Sequence, residues 1–274
     1  MNFDRENYVL AATVNRFFGT VAGHPAVEVK SFDGSSTRLV PEEGSVNIFD
    51  EMGKLGLMIC GGAITSIFTS SKINDLDFYM LDPKKRLECM EFLTKFFGAP
   101  CLTSLNACTF KRKSKKSNKV YTVQLITRFA GTPQEIFDWF DFTITHAAYR
   151  FDENDFVFGD RYFADLARRE LVYSGASKYP ICAMYRTKKY QERGFNLSGA
   201  TIMHIALCIV QLKIETYFQL KEQLMGIDTM FLQGLLNAKD PNAPVEYGEF
   251  LEDAFKCLNY STGQTMAEGE DHGV

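Results

Sequence analysis

The stretch Cys60-Gly61-Gly62-Ala63-Ile64-Thr65-Ser66, followed by Asn74-Asp75-Leu76-Asp77-Phe78-Tyr79, constrains this chain more than any other. A short apolar run, Leu55 to Ile59, leads into the paired glycines and reads as a buried strand. Ala63 to Phe68 then reads as a helix and Asp75 to Leu81 as the next strand. Side chains repeat every two residues along a strand, so Asp75 and Asp77 leave one face, about 6.5–7 Å apart along the backbone. Converging carboxylates at that spacing can hold divalent cations about 3.5–4 Å apart. Ile73, Leu76 and Phe78 would anchor the strand. The glycines would let backbone amides approach a phosphate closely.

The flanking sequence predicts alternating helix and strand. Residues 7–18 fit a short amphipathic helix. Residues 24–48 read as irregular or β, with turn signals at Asp33-Gly34 and Glu43-Gly44. Asp82-Pro83 supplies a cap and first-turn proline for a helix running to about Phe97. Leu102–Phe110 and Val120–Arg128 read as strands, joined by Lys111 to Lys119, in which six of nine residues are basic. That run is either a solvated hairpin tip or a flexible arm for phosphate backbones. Thr132-Pro133 caps a helix to about Phe140, and Phe142–Tyr149 fits either strand or helix.

From Phe163 the pattern is helical: 163–171, 181–193, a long helix from Ser198 to Leu224, 228–237 and 244–258. Composition therefore divides the chain into an α/β segment, 1–155, and a helical one, 156–260, with a small, polar, acidic tail at 261–274. The expected class is α+β, a mixed sheet with flanking helices followed by a helical region.

Net charge is −4, so any attraction to nucleic acid must be local. The seven cysteines are scattered without a C-x-x-C pair, and the four histidines show no ligand spacing with them, which argues against a zinc site. Most cysteines lie in apolar runs and read as buried thiols of a reducing compartment. An acidic N-terminus without an apolar core, and a longest apolar run of only Ile202 to Leu212, point to a cytoplasmic protein without a membrane span. His146 and His204 read as packed residues, as do Trp139, Phe137 and Phe140.

The order of these motifs resembles the polymerase-β-like nucleotidyltransferase superfamily, and within it the head-and-neck region of class II tRNA nucleotidyltransferases (CCA-adding enzymes) and bacterial poly(A) polymerases. Gly61-Gly62-Ala63-Ile64 through Asp75-Leu76-Asp77-Phe78 is similar to that family's G-G-x-V-R-D … D-h-D-h motif. Asp141-Phe142-Thr143-Ile144-Thr145-His146-Ala147-Ala148-Tyr149 is similar to its R-R-D-F-T-I-N-A-h-A-Y motif. Asp165-Leu166-Ala167-Arg168 and Arg186-Thr187-Lys188-Lys189-Tyr190 resemble its D-L-x-x-R … R-A-I-R-F run.

The resemblance implies a nucleotidyltransferase-type sheet and a two-metal reaction. Asp75 and Asp77 would bind Mg²⁺ or Mn²⁺ between a nucleoside triphosphate and an RNA 3′-hydroxyl, a tRNA-like end being one such acceptor. Asp141 would meet the ribose hydroxyls or serve as a third acid. Gly61 and Gly62 would hold phosphates, with Thr65 or Ser66 adding a hydroxyl. Arg186 and Lys189 would meet triphosphate or base edge, or else form an exposed helix surface. Lys111, Arg112, Lys113, Lys115 and Lys116 would contact nucleic acid.

The chain also departs from the pattern. Thr65-Ser66 replaces Arg-Asp, Trp139-Phe140 replaces the double arginine, and Thr145 replaces asparagine. Tyr179 to Ala183 occupies the place of the base-reading E-D-x-x-R, Gln124 stands where related enzymes often carry another acid, and the tRNA-gripping region is expected to be largely missing. Three functions follow: nucleotidyl transfer to RNA, the same transfer to a protein or small molecule, and a catalytically silent binding protein.

Overall fold

In the strands β3 (Leu57–Cys60) and β4 (Asp75–Met80), alternate residues serve two different cores, and this division organises the fold. The computed structural model describes residues 3–18, 29–30, 36–37, 48–114, 119–224 and 230–254. The expected turns at Asp33-Gly34 and Glu43-Gly44, Lys115, Lys116, Cys257 and the acidic tail lie outside them. The described residues divide into two compact units, within Met1–Ala176 and within Ser177–Val274.

The first unit opens with α1 (Asp4–Phe18), three residues longer at its start than the periodicity predicts. Asp4 and Glu6 in its first turn and Arg16 in its last complement the helix dipole. Strands β1 (Val29–Lys30) and β2 (Ser36–Thr37) pair antiparallel, and α2 (Ile48–Lys54) follows. β3 then runs into α3 (Gly62–Phe68) and on to β4. The Asp82 carboxylate accepts from the Lys84 amide, and one 3-10 turn leads into α4 (Arg86–Phe97). β5 (Leu102–Thr103), β6 (Ala107–Lys113) and β7 (Val120–Ala130) come next.

The helix after Thr132 is α5 (Pro133–Phe137), fixed by a reciprocal Thr132–Glu135 capping box. It stops before Phe140, because the amides of Trp139 and Phe140 turn to i−3 carbonyls. The ambiguous segment after it is both things in part: a 3-10 turn at Thr143–Thr145, then β8 (Ala147–Arg150). β9 (Asp155–Phe158), α6 (Tyr162–Ala167) and β10 (Glu170–Leu171) complete the unit.

Seven strands form one mixed sheet in the order β5-β6-β7-β4-β3-β8-β9, with β4 and β7 parallel and the other neighbours antiparallel. On one face, Leu57, Ile59, Leu76, Phe78, Val123 and Leu125 pack under α1, α3 and α4 in an aromatic-rich core. On the other, Met58, Cys60, Tyr79 and Ala148 pack with Ile136 and Phe137 of α5. The expected α+β architecture is present.

The second unit contains α7 (Pro180–Glu192), β11 (Asn196–Leu197), α8 (Gly199–Val210), α9 (Tyr217–Gln223) and α10 (Met230–Asn237), with a further helical stretch at 247–254. Cys182, Tyr217, Leu220, Leu224, Leu236 and Phe250 form its core. The single helix expected from Ser198 to Leu224 is two helices. Thr216 and Gln219 make a second capping box that starts α9 afresh. His204 is exposed rather than packed, on an α8 that buries only Thr201 and Ile205. No described helix is long and apolar enough to cross a membrane.

Candidate active site

Asp75 and Asp77 leave the same face of β4, the face away from α1, α3 and α4. Asp75 is exposed and Asp77 half-buried, while Leu76 and Phe78 between and beyond them are fully buried in the main core. Two apolar anchors thus hold two charged groups to one side. In the parallel ladder Asp75 pairs with Thr122 and Asp77 with Gln124. In the next ladder Thr122 pairs with Lys111 and Gln124 with Thr109.

Paired residues share a face, so two rows of polar side chains cross the sheet: Lys111–Thr122–Asp75 and Thr109–Gln124–Asp77. The β3–β4 register, continued one step past Ile59–Phe78, brings Cys60 to the end of the second row. Burial, and secondarily the Asp77 charge, push the Cys60 thiol well above its ordinary pKa. It remains a neutral wall beside the carboxylate.

Gly61 turns the chain from strand to helix with φ 78°, a left-handed conformation suited to glycine. Its amide donates to the Ala147 carbonyl at 2.8 Å, which ties it to the sheet. A Cβ at this position would lie 3.4 Å from the Phe140 ring, so the aromatic side chain closes directly over the turn. Gly62 opens α3, whose first-turn amides have no partner within the helix itself.

The hydroxyls expected beside the phosphates are turned inward. Thr65 Oγ1 donates to the Ile144 carbonyl at 2.6 Å, and Ser66 Oγ to that of Gly62 at 2.8 Å. The Thr65 contact joins α3 to the segment after Asp141. Asp141 is 4% exposed and takes the Ser174 amide on its carbonyl at 2.8 Å, one residue beyond the Phe140 that covers Gly61.

His146 is a packing residue. Its ring stacks on Phe137 with centroids 5.5 Å apart, and burial lowers its pKa against the opposing effects of the Phe140 backbone and Asp138. Trp139 stacks on Phe129 at 4.4 Å. The Asp165 carboxylate, fully buried, takes two bonds from Arg161, at 3.0 and 3.1 Å, and one from Thr143 at 2.6 Å. It therefore braces the 3-10 turn after Asp141 and does not reach for substrate.

The basic run divides by strand parity. Lys111 and Lys113 are exposed on the acid-bearing face. Arg112 points the other way, where its guanidinium donates to the Phe17 and Arg16 carbonyls at 2.7–2.9 Å and lies over the Tyr121 ring. It caps the C-terminus of α1. Arg186 and Lys189 lie on neighbouring turns of α7 in the second unit, the first half-buried and the second exposed. Sequence reading overlooked Thr109, Thr122 and Cys60, although period-two counting along β6 and β7 marks the first two.

Among the described residues no cluster of three or more His, Cys, Asp or Glu side chains gathers. Mg²⁺ is commonly held by one or two carboxylates together with substrate phosphates, so Asp75 and Asp77 match that donor set in number and chemistry.

Residues 37–169 match the family model described as Gad2, Gabija anti-defense 2 family protein. A 170-residue stretch, 62% of this chain, is 28% identical to Gabija anti-defense 2 of Bacillus phage SPbetaL7 and covers 41% of that protein. The chain thus matches well under two thirds of its relative's length. Among solved structures, similarity extends to the Thermotoga maritima CCA-adding enzyme complexed with tRNA (14% identity, TM-score 0.45, covering 70% of this chain and 46% of that one). A CCA-adding enzyme with ATP gives 17% identity and a TM-score of 0.48, with 71% and 48% covered. A tRNA-processing enzyme without ligand gives 16% and 0.47, with 82% and 59% covered.

Proposed function

We propose that this protein is a divalent-cation-dependent nucleotidyltransferase that moves a nucleoside monophosphate from a nucleoside triphosphate to an RNA 3′-hydroxyl. The observation that carries this reading is the placement of Asp75, exposed, and Asp77, half-buried, on one sheet face beside the Gly61-Gly62 turn. Mg²⁺ or Mn²⁺ held by these acids would lower the cost of the attacking alkoxide and of the pyrophosphate leaving group. The acceptor oxygen bonds to the α-phosphorus, the bond from that phosphorus to the bridging oxygen breaks, and pyrophosphate departs. The proton is released to solvent, to which Asp75 is open.

The first turn of α3 offers amides to the phosphates, and Phe140 limits water over the turn. Lys111, about 10 Å from Asp75 at ordinary strand spacing, offers a cation to the acceptor backbone. The experiment is incorporation of each α-labelled nucleoside triphosphate into total RNA with Mg²⁺ or Mn²⁺. Asp75→Asn and Asp77→Asn should each reduce incorporation at least about 100-fold. Wild-type rates in both variants would end the reading.

A second reading keeps the chemistry and places the accepting hydroxyl on a protein or small molecule. The likeness to a Gabija anti-defense protein supports it, as does the missing E-D-x-x-R signature. In that setting the transfer would serve to counter a defence system. Label appearing on protein or small molecule, with RNA unlengthened, selects this reading. RNA or protein binding with no turnover under any condition selects a silent binding protein instead.

A further inference from the structure

A cleft of about 300 Å³ opens on the opposite side of β4 from the two acids, between α1, α3 and residues 70–73. Its charge is one-sided. Arg5 and Arg16 project from α1, Lys72 from the segment before β4, and Lys119 from the residue before β7. Its described lining contains no Asp or Glu. Arg5 touches Glu6 at 3.3 Å, a contact at the surface. All four cations are exposed.

Hydroxyls line the same cleft. Ser70 Oγ accepts from Arg5 at 2.6 Å and Thr13 Oγ1 from Arg16 at 3.3 Å, which aims both guanidinium groups along the rim. Ser66 and Ser71 also line it, their hydroxyls bonded to the Gly62 carbonyl and to Thr69, beside an apolar floor that includes Val9, Ile67 and Ile73. Forked donors, ammonium groups and hydroxyls around one concavity, with Glu6 on Arg5 as a carboxylate contact at its rim, form the chemistry that phosphate oxygens select. The apolar floor belongs to the main core and makes the wall rigid.

We propose that this cleft is a phosphate-binding site, distinct from the acid-bearing face, for the backbone of a single-stranded nucleic acid or for a free polyphosphate. Lys72 stands three residues before Asp75. The cleft and the acids therefore meet at the same end of β4, on its two sides. A strand whose phosphates sit among Arg5, Arg16, Lys72 and Lys119 can reach the acid face by rounding that end. The site does not depend on nucleotidyl transfer.

The test compares wild type with the double variant Lys72→Glu/Lys119→Glu. Two probes are used: a short fluorescein-labelled single-stranded RNA followed by anisotropy over a salt series, and inorganic tripolyphosphate followed by calorimetry. Both substituted side chains are exposed. Lys72→Gln/Lys119→Gln repeats the comparison if the charge-reversed protein fails to fold.

A loss of at least about tenfold in affinity is expected, and for RNA a fall of about 1.4 in the slope of log K against log salt, about 0.7 per lost phosphate contact. RNA responding alone assigns the cleft to a strand, and tripolyphosphate responding alone assigns it to a small polyanion. Asp75→Asn/Asp77→Asn should retain this binding, which separates the cleft from the proposed reaction. Unchanged affinity of the substituted proteins for both probes, or binding of neither probe by wild type, overturns the assignment.

Discussion

Gln124 on β7 stands directly across the parallel ladder from Asp77 on β4. Its amide brings polar atoms to the acid face without a charge. The acid face therefore avoids a third anion beside the half-buried Asp77 and has less negative charge with which to hold a cation. Gln124→Asp should tighten Mg²⁺ binding about tenfold, because ligand charge sets affinity for a hard cation. The same change should lower the melting temperature in chelator through like-charge repulsion. Calorimetric Mg²⁺ titration and melting with and without the metal check the two halves.

Alternation along β6 separates two roles within three residues. Arg112→Ala removes charge-assisted bonds to the last carbonyls of α1 and should destabilise the fold by about 1–2 kcal/mol. Lys111→Ala/Lys113→Ala should leave the melting temperature within about 1 °C, surface changes being worth little. It should instead weaken RNA binding in a salt-dependent way. Urea unfolding and anisotropy on the same samples distinguish the two. The reverse pattern would mean that the parity assignment is wrong.

Asp165 gives the fold a defined acid sensitivity. Burial raises its pKa, but the bonds from Arg161 and Thr143 outweigh this and hold the carboxyl below its ordinary value. A lowered folded-state pKa stabilises the protein fully above the unfolded value, about 3.9, and the contribution is lost as pH falls through the folded one. Asp165→Asn should therefore cost about 1–3 kcal/mol at pH 7. The cost should shrink below about pH 4. Chemical denaturation at pH 7, 5, 4 and 3 measures it, and a pH-independent difference would contradict the mechanism.

Thiol chemistry should follow burial. Cys101 is exposed, whereas Cys60 is buried beside Asp77 and burial pushes Cys89 up to about 11. Brief alkylation at pH 8 should label Cys101 and leave Cys60 and Cys89 unmodified, read by peptide mass spectrometry. Labelling of Cys60 ahead of Cys101 would mean that the acid face opens far more widely than its packing allows.

Local signals made much of this legible. The Gly61-Gly62 turn, the Asp75/Asp77 strand and the Asp82-Pro83 cap are each written in a few adjacent residues, and all three appear where the pattern puts them. Thr65, Ser66 and Arg112 were not legible as to direction. Which way a hydroxyl or guanidinium turns depends on partners such as Ile144 and Phe17, which lie 79 and 95 positions away. Strand β9 was missed although Phe156 and Phe158 alternate correctly. The turn before it uses Asn154 at φ 52°, a conformation that asparagine tolerates without announcing it. The break between α8 and α9 was hidden by continuous apolar periodicity, and only Thr216 with Gln219 betrays it.

The two-residue rhythm of the β6–β7 hairpin makes segment length a hidden specificity element. Deleting one residue between Thr109 and Arg112 would rotate every later side chain of β6 to the opposite side. A lysine would then meet the end of α1, where one ammonium cannot replace a forked guanidinium. The arginine would emerge among the acids. Lineages that vary the reach of this arm should therefore do so by lengthening its tip, or in steps of two within the strand.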